Sequence, residues 1–192
     1  MTEVERRAPR ADAARNRDQL LAVATRMFMS AGAEPSMRAI AREAGVGIAT
    51  LYRHFPTRES VVDAVYRDQV VRLTTGAREL LDRLPPAAAM RHWMDLFGDW
   101  IAAKSGMLDT LLAMTESGEI AHAETRTELL AAIATILDAG RVAGDLRDDA
   151  TADDIAASLI GIFTVAPRPE HDARASRLLN LLMDGLRPTV RG

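Results

Sequence analysis

Residues 45–59 read GVGIATLYRHFPTRE. Thr50, Tyr52, Arg53, His54 and Arg58 bring hydroxyl, phenol, guanidinium and imidazole groups together in one short run. These are groups that donate hydrogen bonds or carry positive charge, and their natural targets are phosphate oxygens and base edges. Leu51 and Phe55 are interleaved with them. On a helix that spacing gives an apolar side and a polar side. Glycines precede the run and Pro56 closes it, so the piece is short, held by one side and offered by the other.

No second chemistry competes with it. The chain has no cysteine, which excludes disulfides, thiol nucleophiles and thiolate metal sites. His92 and His122 are isolated, with no second histidine at helical spacing, so no metal is expected. Ser105, Ser117 and Ser158 lie in no nucleophile motif, and there is no phosphate loop or dinucleotide fingerprint. The expectation is a protein that is not an enzyme and needs no cofactor.

The elements that must position the run are helical nearly throughout. Alternating β-branched runs are absent, and the breaks are Gly, Pro or short polar clusters. The spacing predicts an all-α chain of about nine helices. Residues 6–17 look like a loose basic arm, either a tail without function or a segment that touches phosphate or the minor groove. Leu20, Leu21, Ala24, Met27, Phe28 and Ala31 then recur at helical spacing in a first helix, which Gly32 is expected to end. Ser36 can N-cap a second helix to Ala44, Gly45 suits a left-handed C-cap, and a third helix follows over 48–54. Pro56 stops it, and Thr57 can cap a long fourth helix that ends near LPPA at 84–87. Further helices are expected to about 104, over 107–115, over 121–139, from the TADD cap at 151, and over 173–186, with APRPEHD at 166–172 as a break.

Two short helices joined by AGVG make a helix-turn-helix. Ile40, Ala41, Val46, Leu51 and Phe55 would pack inward, leaving Ala49, Thr50 and Arg53 to point out. A small residue, a hydroxyl and a guanidinium on a narrow helix are side chains that read a major groove. Tyr52, His54 and Arg58 would sit around the rim, with Ser36 and Arg38 at the start of the second helix. The charge agrees. Residues 1–58 hold 10 Arg against 6 Asp or Glu, a balance of +4, while 59–192 hold 14 Lys or Arg against 21 Asp or Glu, a balance of −7. A basic head on an acidic body suits a chain that meets a polyanion with one end.

SMRAIAREAGVGIATLYRHFPTRESVVDAV, residues 36–65, resembles the DNA-binding domain of the TetR family of bacterial transcriptional regulators. The likeness is strong over 15–66 and only architectural over 86–190. It implies that Thr50, Tyr52 and His54 lie at DNA-contact positions and that Arg38 and Arg58 lie at positions used for base or phosphate contact. Ile48 stands where many members carry a polar residue; it touches a thymine methyl or is buried.

The resemblance also implies a division into an arm and helix-turn-helix domain at 1–58 and an effector-binding and dimerisation domain at 59–192. Trp93, Phe97 and Trp100 recur at i, i+4, i+7 on the fifth helix, a stripe that is core or, as the family implies, the wall of an effector cavity. Met107, Leu111 and Met114 would supply another wall. Ile155, Leu159, Gly161 and Ile162 with Leu178, Leu182 and Leu186 form the expected homodimer interface. The implied function is a sequence-specific regulator, a repressor released from a roughly palindromic double-stranded DNA operator by a small, largely apolar effector. The alternative is a helical adaptor without specific DNA recognition. No stretch is long and apolar enough for a membrane span, and the N-terminus lacks an apolar signal core, so a cytoplasmic protein is expected.

Overall fold

The computed structural model describes residues 3–30, 34–116, 122–166 and 173–188, with side chains from residue 15 onward except those of 122 and 123. Among these residues nine α-helices follow one another and no strand occurs. They are α1 (Glu3–Met29), α2 (Met37–Glu43), α3 (Ile48–His54), α4 (Arg58–Leu81), α5 (Pro86–Gly106), α6 (Leu108–Glu116), α7 (His122–Ala143), α8 (Ala152–Val165) and α9 (Ala173–Gly185). The all-α expectation holds. The expected stop at Gly32 and most of the expected break at 166–172 lie outside the described residues.

One element departs from expectation. The loose arm over 6–17 has helical backbone continuous with the rest of α1. Alanine and arginine, both strong helix formers, dominate residues 10–17 and carry the helix upstream.

The chain forms two compact units: Met1–Arg67 with Ala103–Glu119, and Asp68–Ala102 with Ile120–Gly192. The first carries the segment expected at 1–58, the first part of α4, the last turn of α5 and all of α6. In it α1 packs on α2 and α2 on α3. Leu20, Val23, Ala24 and Phe28 of α1 are buried, as are Ile40, Ala41, Leu51, Phe55, Val62 and Val65. The corner between α5 and α6 is equally close-packed: a Cβ added to Gly106 would lie 1.8 Å from the carbonyl oxygen of Phe28.

In the second unit α7 packs on α8 and α8 on α9. Thr151 and Asp154 form the capping box that TADD promised, Thr151 Oγ1 accepting from the Asp154 N–H at 3.1 Å and Asp154 Oδ2 from the Thr151 N–H at 2.9 Å. Arg147, in the turn between α7 and α8, donates from Nη1 to the Gly185 carbonyl at 3.0 Å and from its backbone N–H to the Leu186 carbonyl at 2.9 Å. Carbonyls at the end of α9, which have no partner inside that helix, are thereby satisfied.

Candidate nucleic-acid interface

The helix-turn-helix is built from its turn outward. Gly45 has φ +68°, a conformation that costs little only for glycine. The Val46 N–H then reaches the Ala41 carbonyl at 3.0 Å and the Gly45 N–H reaches Arg42 at 3.1 Å. This pair of bonds is a Schellman closure of α2. Gln19 of α1 donates from Nε2 to the Ala44 carbonyl at 3.1 Å, tying the turn to the first helix. At the other end of α2, Ser36 Oγ accepts from the Ala39 N–H at 3.1 Å and caps the helix.

Two side chains fix α3 by its inner side. Leu51 is fully buried and Phe55 is 3% exposed. The Arg17 guanidinium lies over the Phe55 ring, 5.2 Å from its centroid, which pins the end of α3 from α1. The opposite face is open. Ala49 and Arg53 are exposed, Tyr52 is 47% exposed and Ile48 is 36% exposed, while Thr50 and His54 are half-buried. Ser36 and Arg38 are exposed at the start of α2. Of the two alternatives for Ile48, burial is therefore not the one found.

Arg58 differs from the rest of the set. Its Nε lies 3.0 Å from Glu34 Oε2 and 3.1 Å from Thr110 Oγ1, its Nη1 donates to the Pro35 carbonyl at 2.8 Å, and its Nη2 forms an ion pair with Glu34. A guanidinium expected at the phosphate rim is thus directed into the protein. Glu34 and Thr110 carried no motif, and only the three-dimensional closure reveals them.

The remaining candidate residues divide between the two units. Trp93, Phe97 and Trp100 belong to the second and are all buried. The Phe97 ring lies 5.8 Å from Trp93, 5.2 Å from Trp100 and 6.1 Å from Phe163 of α8, centroid to centroid. Met107, Leu111 and Met114 are buried in the first unit. Of the expected dimer residues, Ile155, Leu159 and Leu186 are buried within the chain, Ile162, Leu178 and Leu182 are half-buried, and Gly161 is exposed. The large apolar side chains that α8 and α9 leave exposed are Ile160, Val165 and Leu181.

Residues 20–65 match the family model for bacterial regulatory proteins of the tetR family. Residues 85–188 match the C-terminal domain of SbtR-like transcriptional regulators. No curated protein matches the chain. Among solved structures, the TetR transcriptional regulator SCO0520 from Streptomyces coelicolor is 45% identical with a TM-score of 0.82, over 91% of this chain and 99% of that one. A TetR transcription regulatory protein from Mycobacterium vanbaalenii is 35% identical with a TM-score of 0.72, over 93% of this chain and 98% of that one. A γ-butyrolactone receptor, 22% identical with a TM-score of 0.58 over 93% of this chain and 92% of that one, shares the fold. A helix-turn-helix with an open polar face, the two family models and near-complete coverage of close relatives agree: this chain is a DNA-binding transcriptional regulator of the TetR family.

Proposed function

We propose that the protein is a repressor that leaves its operator when a small, largely apolar effector binds. The arm and helix-turn-helix within 1–58 read DNA, and 59–192 serve the effector and the dimer. The observation that carries the reading is the split of α3: Leu51 and Phe55 buried, Ile48, Ala49, Tyr52 and Arg53 open. A helix so presented enters a major groove, where Arg53 and Thr50 meet base edges, Ile48 offers a methyl-contacting surface and Tyr52 meets the backbone. Ser36, Arg38 and His54 complete the contact from the flanks.

Two copies paired through α8 and α9 would read a roughly palindromic operator, its half-sites about 10–10.5 base pairs or a multiple apart. The aromatic cluster of Phe97 and Trp100 is the part of the second unit we assign to the effector. An effector acts only through its differential affinity for the DNA-bound and free arrangements. No described helix is long and apolar enough to cross a membrane, which supports a cytoplasmic protein.

Selection of bound sequences from random duplex DNA tests the reading. The expected result is one enriched, roughly palindromic motif whose sequence preference relaxes in Arg53→Ala. Enrichment of no motif, with the protein dimeric and folded, would leave the adaptor reading in its place.

A further inference from the structure

One carboxylate joins three separate stretches of the first unit. Glu34, two residues before the Ser36 cap of α2, accepts from the backbone N–H of Thr110 on Oε1 at 3.3 Å and from the Thr110 hydroxyl on Oε2 at 3.0 Å. The same Oε2 takes Arg58, the first residue of α4. Thr110 stands in the first turn of α6, whose leading N–H groups have no partner inside the helix. Glu34 is thus a cap for α6 supplied by a residue far away in sequence. Arg58 closes the circuit by holding both the Thr110 hydroxyl and the Pro35 carbonyl.

The placement of α6 gives this circuit a function. Residues before Ala103 and after Glu119 belong to the other unit, so α6 lies in a stretch of the first unit that the chain joins to the other unit in sequence on both sides. Its contacts with Glu34 and Arg58 lie next to the start of α2 and the start of α4, which flank the reading helix. Thr110 is 8% exposed, so water cannot readily replace a contact it loses.

We propose that Glu34, Arg58 and Thr110 form a polar strut through which the position of α6 sets the geometry of the helix-turn-helix, with Arg58 acting as a positioning residue and not as a phosphate contact. The proposal rests on the DNA-binding reading for its consequence, but its structural half is measurable without DNA. A shift of α6 breaks hydrogen bonds to a charged pair in the head, and the approach to α2 is freed.

The test uses Thr110→Val, which keeps volume and removes the hydroxyl, and Arg58→Ala. The probe is the duplex that the wild-type protein selects from random DNA. Melting temperature is measured for each variant so that binding is compared among folded proteins. Thr110→Val is expected to weaken the duplex about fivefold or more, the lower range of couplings between sites. Its DNA-free amide exchange is expected to quicken across α2. Arg58→Ala is expected to leave the slope of log affinity against log salt unchanged, since no phosphate contact is lost. A slope reduced by about one in Arg58→Ala would assign that residue to a phosphate and overturn the proposal. Wild-type α2 exchange in Thr110→Val would overturn it as well. If the wild-type protein selects no sequence, the DNA reading fails while the exchange measurement still decides the strut.

Discussion

The indole N–H of Trp93 donates to the backbone carbonyl of Leu73 at 2.8 Å, which fastens α5 to α4 within the second unit. Trp93 is fully buried and its one polar atom is satisfied. It therefore contributes to the packing of α5 against α4. Trp93→Phe is expected to cost about 1–3 kcal/mol, from the lost hydrogen bond and the smaller ring together. Thermal unfolding should show the loss, while duplex affinity well below the melting temperature should stay near wild type. An unchanged melting temperature would show that this bond contributes nothing net.

Gly106 has no room for a side chain. A Cβ there would lie 1.8 Å from Phe28 O and 2.7 Å from Phe28 C, both backbone atoms that cannot swing aside. Gly106→Ala should therefore displace the end of α1 or the α5–α6 corner, and a cost of about 1–3 kcal/mol or more is expected. Chemical denaturation of the variant provides the measurement. Stability equal to wild type would mean that the corner opens without cost.

Acid should reveal Glu34. Burial pushes its carboxyl up, but hydrogen bonds from Arg58 and from the Thr110 backbone and hydroxyl outweigh burial and hold it below its ordinary value of 4.5. A carboxyl lowered in the folded state stabilises the fold above that ordinary value, and the contribution fades as pH falls through the lower folded value. Glu34→Gln, which cannot titrate, should lose stability near neutral pH. Its difference from wild type should shrink as pH drops below about 4.5. Melting curves taken from pH 7 to 3 would show the two proteins converging; a constant gap would contradict the assignment.

On the reading helix, Arg53 and Tyr52 should separate by kind of effect. Arg53→Ala is expected to cost about 1–3 kcal/mol on the selected duplex and to relax preference at one position. Tyr52→Phe should weaken selected and unrelated duplexes alike, because a backbone contact positions without specifying. Competition binding against both kinds of DNA distinguishes them. Uniform loss in Arg53→Ala would move that residue to the phosphate rim.

Exposed apolar side chains on α8 and α9 are where a second copy is expected to bind. Ile160 is 55% exposed and Leu181 is 66% exposed, whereas Leu159 beside Ile160 is fully buried. Ile160→Asp and Leu181→Asp should dissociate the dimer with each chain still folded. Leu159→Asp should unfold it, since the charge would replace a packed side chain. Sedimentation together with circular dichroism reads both. A folded dimer in Ile160→Asp and in Leu181→Asp would place the two-fold contact elsewhere.

The turn of the helix-turn-helix was legible because its determinants are local. Ser36 caps the helix that starts beside it, and Gly45 closes the one that ends beside it. The outward face of α3 followed from Leu51 and Phe55 alone. α8 was harder, because it is apolar on two sides. Ile155, Leu159 and Phe163 form its inner stripe, while Ile160 and Val165 are exposed outside it, to either side. Neighbours on a helix are turned about 100° from each other, so a choice between Leu159 and Ile160 is a choice of face. Sequence spacing offers no rule for that when both are apolar. The role of Arg58 was illegible for a different reason: Glu34 and Thr110 are 76 residues apart, and nothing in either stretch announces the other.

The discontinuity of the first unit bears on how such chains can recombine. A crossover at Arg67 between two relatives would graft one parent's first 67 residues onto another's Ala103–Glu119. The hybrid then needs the donor's Phe28 to accept the recipient's residue at 106, and the donor's Glu34 to find a hydroxyl at 110. A head moved as a single segment therefore has to be matched by the recipient at positions 106 and 110. A graft that carries residues 103–119 along with the first 67 transfers the whole fitted piece.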